Sequence, residues 1–241
     1  MGLSVSAGAF IHVVNRLFQD KQKFPYLFYY VDDILISSGS FSEHLDHLNT
    51  MFTTLRTNSL TVNPSKTCVG YDELDFLGHT VSAKGVRISD SKVKAIKKMT
   101  APTNRKTLQR LLGLMQYFRR HVANYSVRTY HMRQLLKQDT KFTWTQDCQN
   151  ELEDIKQALT NAPILAPFRN DRKVYLYTDG SVAGMGAVAL QFDDQNYPQI
   201  CAYMSIATSE AQKKWHSYQL EMYAIAMALR QNETFFSPER A

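Results

Sequence analysis

Residues 24–37 read FPYLFYYVDDILIS, with two adjacent carboxylates, Asp32 and Asp33, inside a run of aromatic and branched apolar residues. Such residues favour strands, and the strand-like stretches on both sides of the acids predict a hairpin with the pair at its tip. Two like charges at the end of a half-buried strand pair repel each other and lose hydration, a cost that a cation offsets. Hard Mg²⁺ or Mn²⁺ prefers carboxylate oxygen. A divalent-metal site and a plain hairpin tip are therefore the two readings of these residues. The chain supplies its own control in QFDDQNYP, where Asp193 and Asp194 sit among Gln195, Asn196 and Pro198 and need only a polar turn between strands.

Around this stretch, 241 residues with 44% hydrophobic and 12% aromatic content bound one large or two modest domains with real cores, and no tract is low in complexity. The apolar run from Phe24 to Ile36 is too short for a bilayer span and carries two acids. With no signal peptide in view, the expectation is a chain that is neither membrane-bound nor secreted. Cys68, Cys148 and Cys201 are odd in number and far apart, which argues against a disulfide framework or a zinc cluster and for a reducing intracellular compartment. The net charge of +6 hides an asymmetry: residues 84–137 hold fourteen Lys or Arg and one acid, Asp90. A one-sign field of that kind attracts a polyanion and releases its counterions, so nucleic-acid contact is expected there.

Periodicity places the other elements. Leu48, Met51, Phe52 and Leu55 recur at i, i+3, i+4 and i+7 and predict a helix over residues 43–59. LTVNPSK and ELDFLGHTVSAKGVRIS read as short strands, with Gly78 and Gly85 at the bends. A helix with Thr103 as N-cap follows; Leu108, Leu111, Leu112 and Met115 form its apolar stripe, and Arg105, Lys106, Arg110, Arg119 and Arg120 lie on its other faces. An acidic helix and Pro163 and Pro167 mark a boundary across residues 140–170. Beyond it, KVYLYTDGSVAGMGAVALQF reads as strand, glycine-rich bend and returning strand. Ser209 and Gln212 then form a capping box before SYQLEMYAIAMALR, a helix apolar on nearly every face in which Glu221 is an isolated acid. A buried glutamate is rare without a partner.

YVDD at a hairpin, GLSVSAGAF upstream, and LTVNPSK, FLGHTVSAKGV, KVKAI, LQRLLGLMQYFRRHV, FTWTQDCQNELEDIKQAL and VYLYTDGSVAGMGAVALQ downstream occur in one order. That ordered series resembles the reverse transcriptases of long-terminal-repeat retrotransposons, most closely the gypsy class, over nearly the whole chain. The resemblance implies an α+β chain: the C-terminal part of a right-hand polymerase palm over residues 1–83, a basic helical thumb over 84–140, a helical connector over 141–170, and the N-terminal part of a ribonuclease H-like mixed α/β domain over 171–241. It implies that Asp32 is the main metal ligand with Asp33 in support, and that Tyr30 lies near the primer end and the incoming nucleotide. Residues Gly2 to Phe10 resemble the family's nucleotide- and template-contacting box, with Gly8 and Ile11 departing from the usual pattern, and Lys66 matches a lysine near the triphosphate. Asp179 and Glu221 match acids that share metals in hydrolysing the RNA of an RNA–DNA hybrid. Arg105, Lys106, Arg110, Arg119 and Arg120 would track phosphates.

The implied cofactor is Mg²⁺ or Mn²⁺. The implied partners are an RNA template, a DNA primer, RNA–DNA hybrid, deoxynucleoside triphosphates and the rest of a polyprotein, in a cytoplasmic particle or the nucleus. The family also expects a palm aspartate upstream of Gly2 and two further ribonuclease H aspartates after the Glu221 helix, whereas residues 222–241 contain no Asp. The expected activity is RNA-directed DNA polymerase with ribonuclease H, weak or absent in these residues alone. The competing expectations are a non-catalytic nucleic-acid-binding module, from a decayed or domesticated copy, and a metal nuclease built on Asp179 and Glu221 alone.

Overall fold

The computed structural model describes residues 6–20 and 22–231, and side chains from residue 8 onward. Two compact units divide the chain, Met1–Asp72 and Glu73–Ala241. Among the described residues no helix is long and apolar enough to cross a membrane.

In the first unit, helix α1 (Ser6–Phe18) is followed by β1 (Leu27–Tyr30) and β2 (Asp33–Ile36), an antiparallel hairpin, and then by α2 (Phe41–Thr57). Alternation decides which hairpin face is covered. Leu27, Tyr29, Ile34 and Ile36 turn toward a core of Val14, Phe18, Phe24, Met51 and Leu55, while Phe28 and Tyr30 are exposed on the other face. Helix α2 starts where Ser40 accepts a hydrogen bond from the Glu43 N–H at 3.3 Å, and it buries Met51 and Leu55 of the expected stripe. The expected strand in LTVNPSK is not formed. Asn63 accepts from the Ser65 N–H at 3.0 Å, and Pro64–Lys66 makes a 3₁₀ turn, so Asn-Pro turn chemistry overrides the β-branched residues before it.

The second unit opens with the sheet β3 (Glu73–Phe76), β4 (His79–Ser82) and β5 (Gly85–Ile88). Leu77 and Gly78, both at positive φ, form the two-residue turn between β3 and β4. Helices α3 (Asp90–Lys97), α4 (Arg105–Tyr117), α5 (Tyr125–Arg128), α6 (Tyr130–Gln134) and α7 (Gln146–Thr160) follow. The cap of α4 is Asn104, not Thr103: its side chain accepts from the Thr107 N–H while Thr107 Oγ1 accepts from the Asn104 N–H. Leu108, Leu112 and Met115 share one core with Met132 of α6 and Cys148, Leu152, Ile155 and Leu159 of α7. The acidic helix is thus built into the basic region. Glu151 accepts from the His131 and Met132 N–H groups at 2.8 and 2.9 Å, and Asp154 pairs with Arg128 at 2.6 Å.

The last elements are β6 (Tyr175–Gly180), β7 (Met185–Phe192) and β8 (Pro198–Ile206), an antiparallel sheet in that order, and α8 (Ser217–Gln231) packed on β6 and β7. Ser209 and Gln212 do form the reciprocal capping pair, at 2.9 and 3.2 Å, but it starts only the 3₁₀ turn Gln212–Lys214. α8 begins after it, with the Gln219 side chain accepting from the His216 N–H at 3.0 Å. The helix buries Leu220, Ala224, Met227 and Ala228 and leaves Tyr218, Met222, Ile225 and Leu229 exposed on the opposite side, which is why its sequence shows no polar face.

Candidate active sites and nucleic-acid face

The hairpin register pairs Tyr30 with Asp33, so Val31 and Asp32 are the two loop residues and Asp33 opens β2. Val31 has φ +56°, a conformation a β-branched residue rarely adopts and the glycine position of the type II′ hairpin turn. Backbone strain of this kind costs on the order of 1–3 kcal/mol and clusters at functional sites. Asp32, Asp33 and Tyr30 are all exposed, Tyr30 by 60%. The expected loss of hydration at the acid pair does not occur, because the covered face of the hairpin ends before the tip; mutual repulsion between neighbours is what a cation would relieve. A cavity of about 350 Å³ between α1 and the hairpin is lined by Ile11, Val14, Asn15, Tyr29, Tyr30 and Val31. Phe10 stands exposed on α1. Residues 1–5 of the box expected over Gly2 to Phe10 lie outside the described residues. Lys66 is exposed at the end of its 3₁₀ turn.

In the second unit the basic side chains divide by role. The Nη2 of Arg105 donates to the carbonyls of Lys137, Gln138 and Thr140 at 2.9, 3.3 and 2.8 Å, closing the chain end after α6. Arg133 donates to the Ser126 carbonyl. Lys106, Arg110, Arg119 and Arg120 are exposed on α4 and the 3₁₀ turn after it. Lys106, Arg110, Gly113 and Tyr117 follow the i, i+4, i+7, i+11 spacing of one helix face. Gly113 was not singled out by sequence reasoning, yet a Cβ there would meet nothing within 4 Å. An exposed mid-helix glycine costs about 1 kcal/mol relative to alanine and here relieves no internal clash. The signal that finds it is a glycine inside an amphipathic stripe on the charged side.

Asp179 lies near the end of β6 and pairs with Gly186 of β7. Glu221 lies in the second turn of α8 and is exposed, contrary to the expectation of burial in an apolar helix. Gly180 joins the two acids: a Cβ there would lie 2.5 Å from the Leu220 carbonyl carbon and oxygen and 2.7 Å from the Glu221 nitrogen. Only a glycine lets the α8 backbone approach so closely, and this contact seats the turn bearing Glu221 beside the strand end bearing Asp179. By contrast, Asp193 is explained locally. It accepts from the Gln195 and Tyr197 N–H groups at 3.0 and 2.8 Å, and the Tyr197 N–H above all holds its carboxyl below the usual range. Among the described residues no group of three or more His, Cys, Asp or Glu side chains is placed to hold a metal ion.

Comparison with known proteins matches these segments. Residues 1–81 match the reverse transcriptase (RNA-dependent DNA polymerase) family, and residues 144–240 match the RNase H-like domain found in reverse transcriptase. The Transposon Tf2-3 polyprotein of Schizosaccharomyces pombe is 32% identical over 231 residues, 95% of this chain and 17% of that protein. The chain therefore spans about a sixth of the length of the curated relatives it matches. Among solved structures, a foamy viral protease-reverse transcriptase dRH in complex with double-stranded DNA aligns with TM-score 0.82 and 24% identity over 95% of this chain and 40% of that one. A foamy viral protease-reverse transcriptase in complex with RNA/DNA hybrid aligns with TM-score 0.81, covering 95% of this chain and 31% of that one. The chain is thus similar to reverse transcriptase over residues 1–81, to the RNase H-like domain found in reverse transcriptase over residues 144–240, and to part of a transposon polyprotein over 231 residues.

Proposed function

We propose that the chain is the later part of the palm, the thumb and the first part of the ribonuclease H domain of a gypsy-class retroelement polyprotein, which copies RNA into DNA and degrades the copied RNA. The observation that carries this reading is the strained hairpin whose exposed tip presents Asp32 and Asp33 beside Tyr30. The donor set fits a hard divalent cation: two carboxylates, exposed and free to keep water as further ligands. Mg²⁺ or Mn²⁺ at Asp32 and Asp33 would lower the cost of deprotonating a primer hydroxyl and neutralise triphosphate charge. Tyr30 and Phe28 offer exposed rings on the hairpin face that carries Asp33, a platform for a base or sugar. Lys66 is assigned to the triphosphate and Phe10 to the nucleotide or template.

In the second unit, Lys106, Arg110, Arg119 and Arg120 hold the phosphates of an RNA–DNA hybrid, and Gly113 lets its backbone come close to α4. Arg105 supports this face from inside through its three carbonyl contacts. Asp179 and Glu221 are the first two carboxylates of the ribonuclease H centre. Two carboxylates do not complete a two-ion centre, so each site takes further ligands from the polyprotein. The partners are then an RNA template, a DNA primer, deoxynucleoside triphosphates and the remaining polyprotein, inside the cell. The test is primer extension on an RNA template by the parent polyprotein with and without Asp32→Asn. Extension lost in the variant supports the assignment; extension unchanged by it, or absent from the parent while hybrid binding persists, favours a non-catalytic binding module.

A further inference from the structure

A cluster of titratable side chains lies at the base of the acid-tipped hairpin, at the end away from Asp32 and Asp33. Ser38 follows β2, and its Oγ is 2.9 Å from Nδ1 of His47 and 3.2 Å from Nδ1 of His44, both on α2. The Nε2 of His47 faces Glu43 Oε1 at 3.7 Å, and the other oxygen of Glu43 accepts from the Gly39 N–H at 2.7 Å. Tyr26, just before β1, stacks on the His47 ring with centroids 3.4 Å apart and planes 9° apart. Its carbonyl accepts from the Ser37 N–H at 3.0 Å. Both arms of the hairpin therefore meet at His47, one through a ring and one through a hydroxyl.

Proton counting, together with the surroundings of the two Nε2 atoms, restricts this cluster of neutral rings to one arrangement. A serine hydroxyl has one hydrogen and a neutral imidazole has one. Ser38 can donate to only one of the two Nδ1 atoms, so the other ring must donate to Ser38. His44 Nε2 is buried without a hydrogen-bond partner among the described residues. A proton there would be an orphaned donor, whereas a proton on Nδ1 finds the Ser38 oxygen. We infer that His44 is held as the Nδ1–H tautomer, that Ser38 passes the direction of donation on to His47, and that His47 carries its proton on Nε2 toward Glu43. In this role Ser38, His44 and His47 are positioning residues: they latch the hairpin base to α2 and fix the direction in which the ladder carries Asp33. The ladder runs over four residue pairs, from Leu27–Ile36 at the base to Tyr30–Asp33 at the tip, so an angular slip at the latch is magnified at the acids.

The functional consequence rests on the metal reading of Asp32 and Asp33, but the latch itself does not. The experiment is two-part NMR on the 241-residue chain at neutral pH. Long-range ¹⁵N–¹H correlation reads the imidazole tautomers, and amide hydrogen exchange reads the hairpin ladder. His44 is expected as Nδ1–H and His47 as Nε2–H. Ser38→Ala should release His44 to the Nε2–H form and speed exchange of the β1–β2 amides by about three- to tenfold, the scale of one or two lost hydrogen bonds. The amides of Met51 and Leu55 in α2 should be unchanged, and Ser38→Thr should restore the parent spectrum. Two Nε2–H histidines in the parent chain, or ladder exchange indifferent to Ser38→Ala, would overturn the latch. Mn²⁺ broadening of the Asp32 and Asp33 resonances, measured on the same samples, tests the metal reading separately: its absence rejects that reading while the tautomers still decide the latch.

Discussion

His121 gives the second unit an acid-sensitive core. It lies in the 3₁₀ turn Arg119–His121, 3% exposed, with its ring stacked 5.3 Å from that of His79 and its Nδ1 without a partner among the described residues. Burial above all, then the neighbouring His79, lowers its pKa from 6.5 to about 4, against an opposing hydrogen bond to the Pro163 carbonyl. The unfolded chain takes up this proton near pH 6.5 and the folded chain near pH 4, so stability is fully present above the first value and falls as pH drops toward the second. At 1.36 kcal/mol per unit, the loss is about 2 kcal/mol at pH 5 and approaches about 3 kcal/mol near pH 4. His79, whose pKa is lowered first by its own burial, adds to the same trend. Both tryptophans, Trp144 and Trp215, lie in this unit, so fluorescence-monitored urea unfolding from pH 7.5 to 4.5 reads it alone. His121→Phe keeps a ring over His79 and removes the titration; its stability should decline less with acid by about the amounts given. Parallel pH slopes for parent and variant would refute the reasoning.

Gly180→Ala forces a Cβ against the α8 backbone and should cost about 1–3 kcal/mol in thermal or urea unfolding while separating Asp179 from Glu221; an unchanged unfolding midpoint would show that the contact is not close. Gly113→Ala, in open space, should stabilise the second unit by about 1 kcal/mol and yet weaken binding of an RNA–DNA hybrid in fluorescence anisotropy, an opposition that a purely structural glycine cannot produce. Reversing Lys106, Arg110 and Arg119 to Glu should cut hybrid affinity for all sequences alike and flatten its salt dependence by about one unit of slope per lost phosphate contact, with binding unaffected by all three as the contrary result. A two-ion centre needs carboxylates from more than one strand, and the hairpin offers the adjacent Asp32 and Asp33, so residues 1–241 alone should not extend a primer; template-dependent extension by that chain would contradict the need for further ligands.

Strong local signals were enough for much of this architecture. The hairpin at Asp32–Asp33, the α2 stripe and the β6–β7 pair follow from period-2 and period-3.6 patterns alone, and the innocence of Asp193–Asp194 follows from its neighbours. The misplacements have physical causes. Thr103 and Asn104 are both good caps, and the choice between them rests on Thr107, whose hydroxyl completes the box only with Asn104. LTVNPSK has strand composition, but the Asn63–Pro64 pair closes a turn that composition does not weigh. Burial of Glu221 was inferred from a helix apolar all round, and periodicity cannot distinguish a doubly covered helix from one with an exposed apolar side. The structural role that Arg105 has through its Nη2 is out of reach of local pattern, because its three carbonyl partners lie more than thirty residues away.

Long-range contacts of this kind also join the helices of the second unit to its last sheet. Its helices are tied directly to the sheet that carries Asp179: Ser126 Oγ and Ser205 Oγ lie 2.6 Å apart, and the Ser126 N–H donates to Ser205 at 2.9 Å. Asn124, in the left-handed conformation, places its Oδ1 2.8 Å from where a Cβ of Gly186 would stand, and Gly186 is the residue paired with both Asp179 and Ser205. One row across the sheet thus runs from the basic helical region to the strand-end acid without a side chain at its centre. A larger residue at 186 would displace Asn124 and its helix turn rather than merely fill space, because backbone and a short polar side chain have little freedom to give. The helical region bearing Lys106, Arg110 and Arg119 and the acid strand therefore share one packed unit, so on the proposed reading a hybrid bound at those residues would be bound by the unit that carries Asp179.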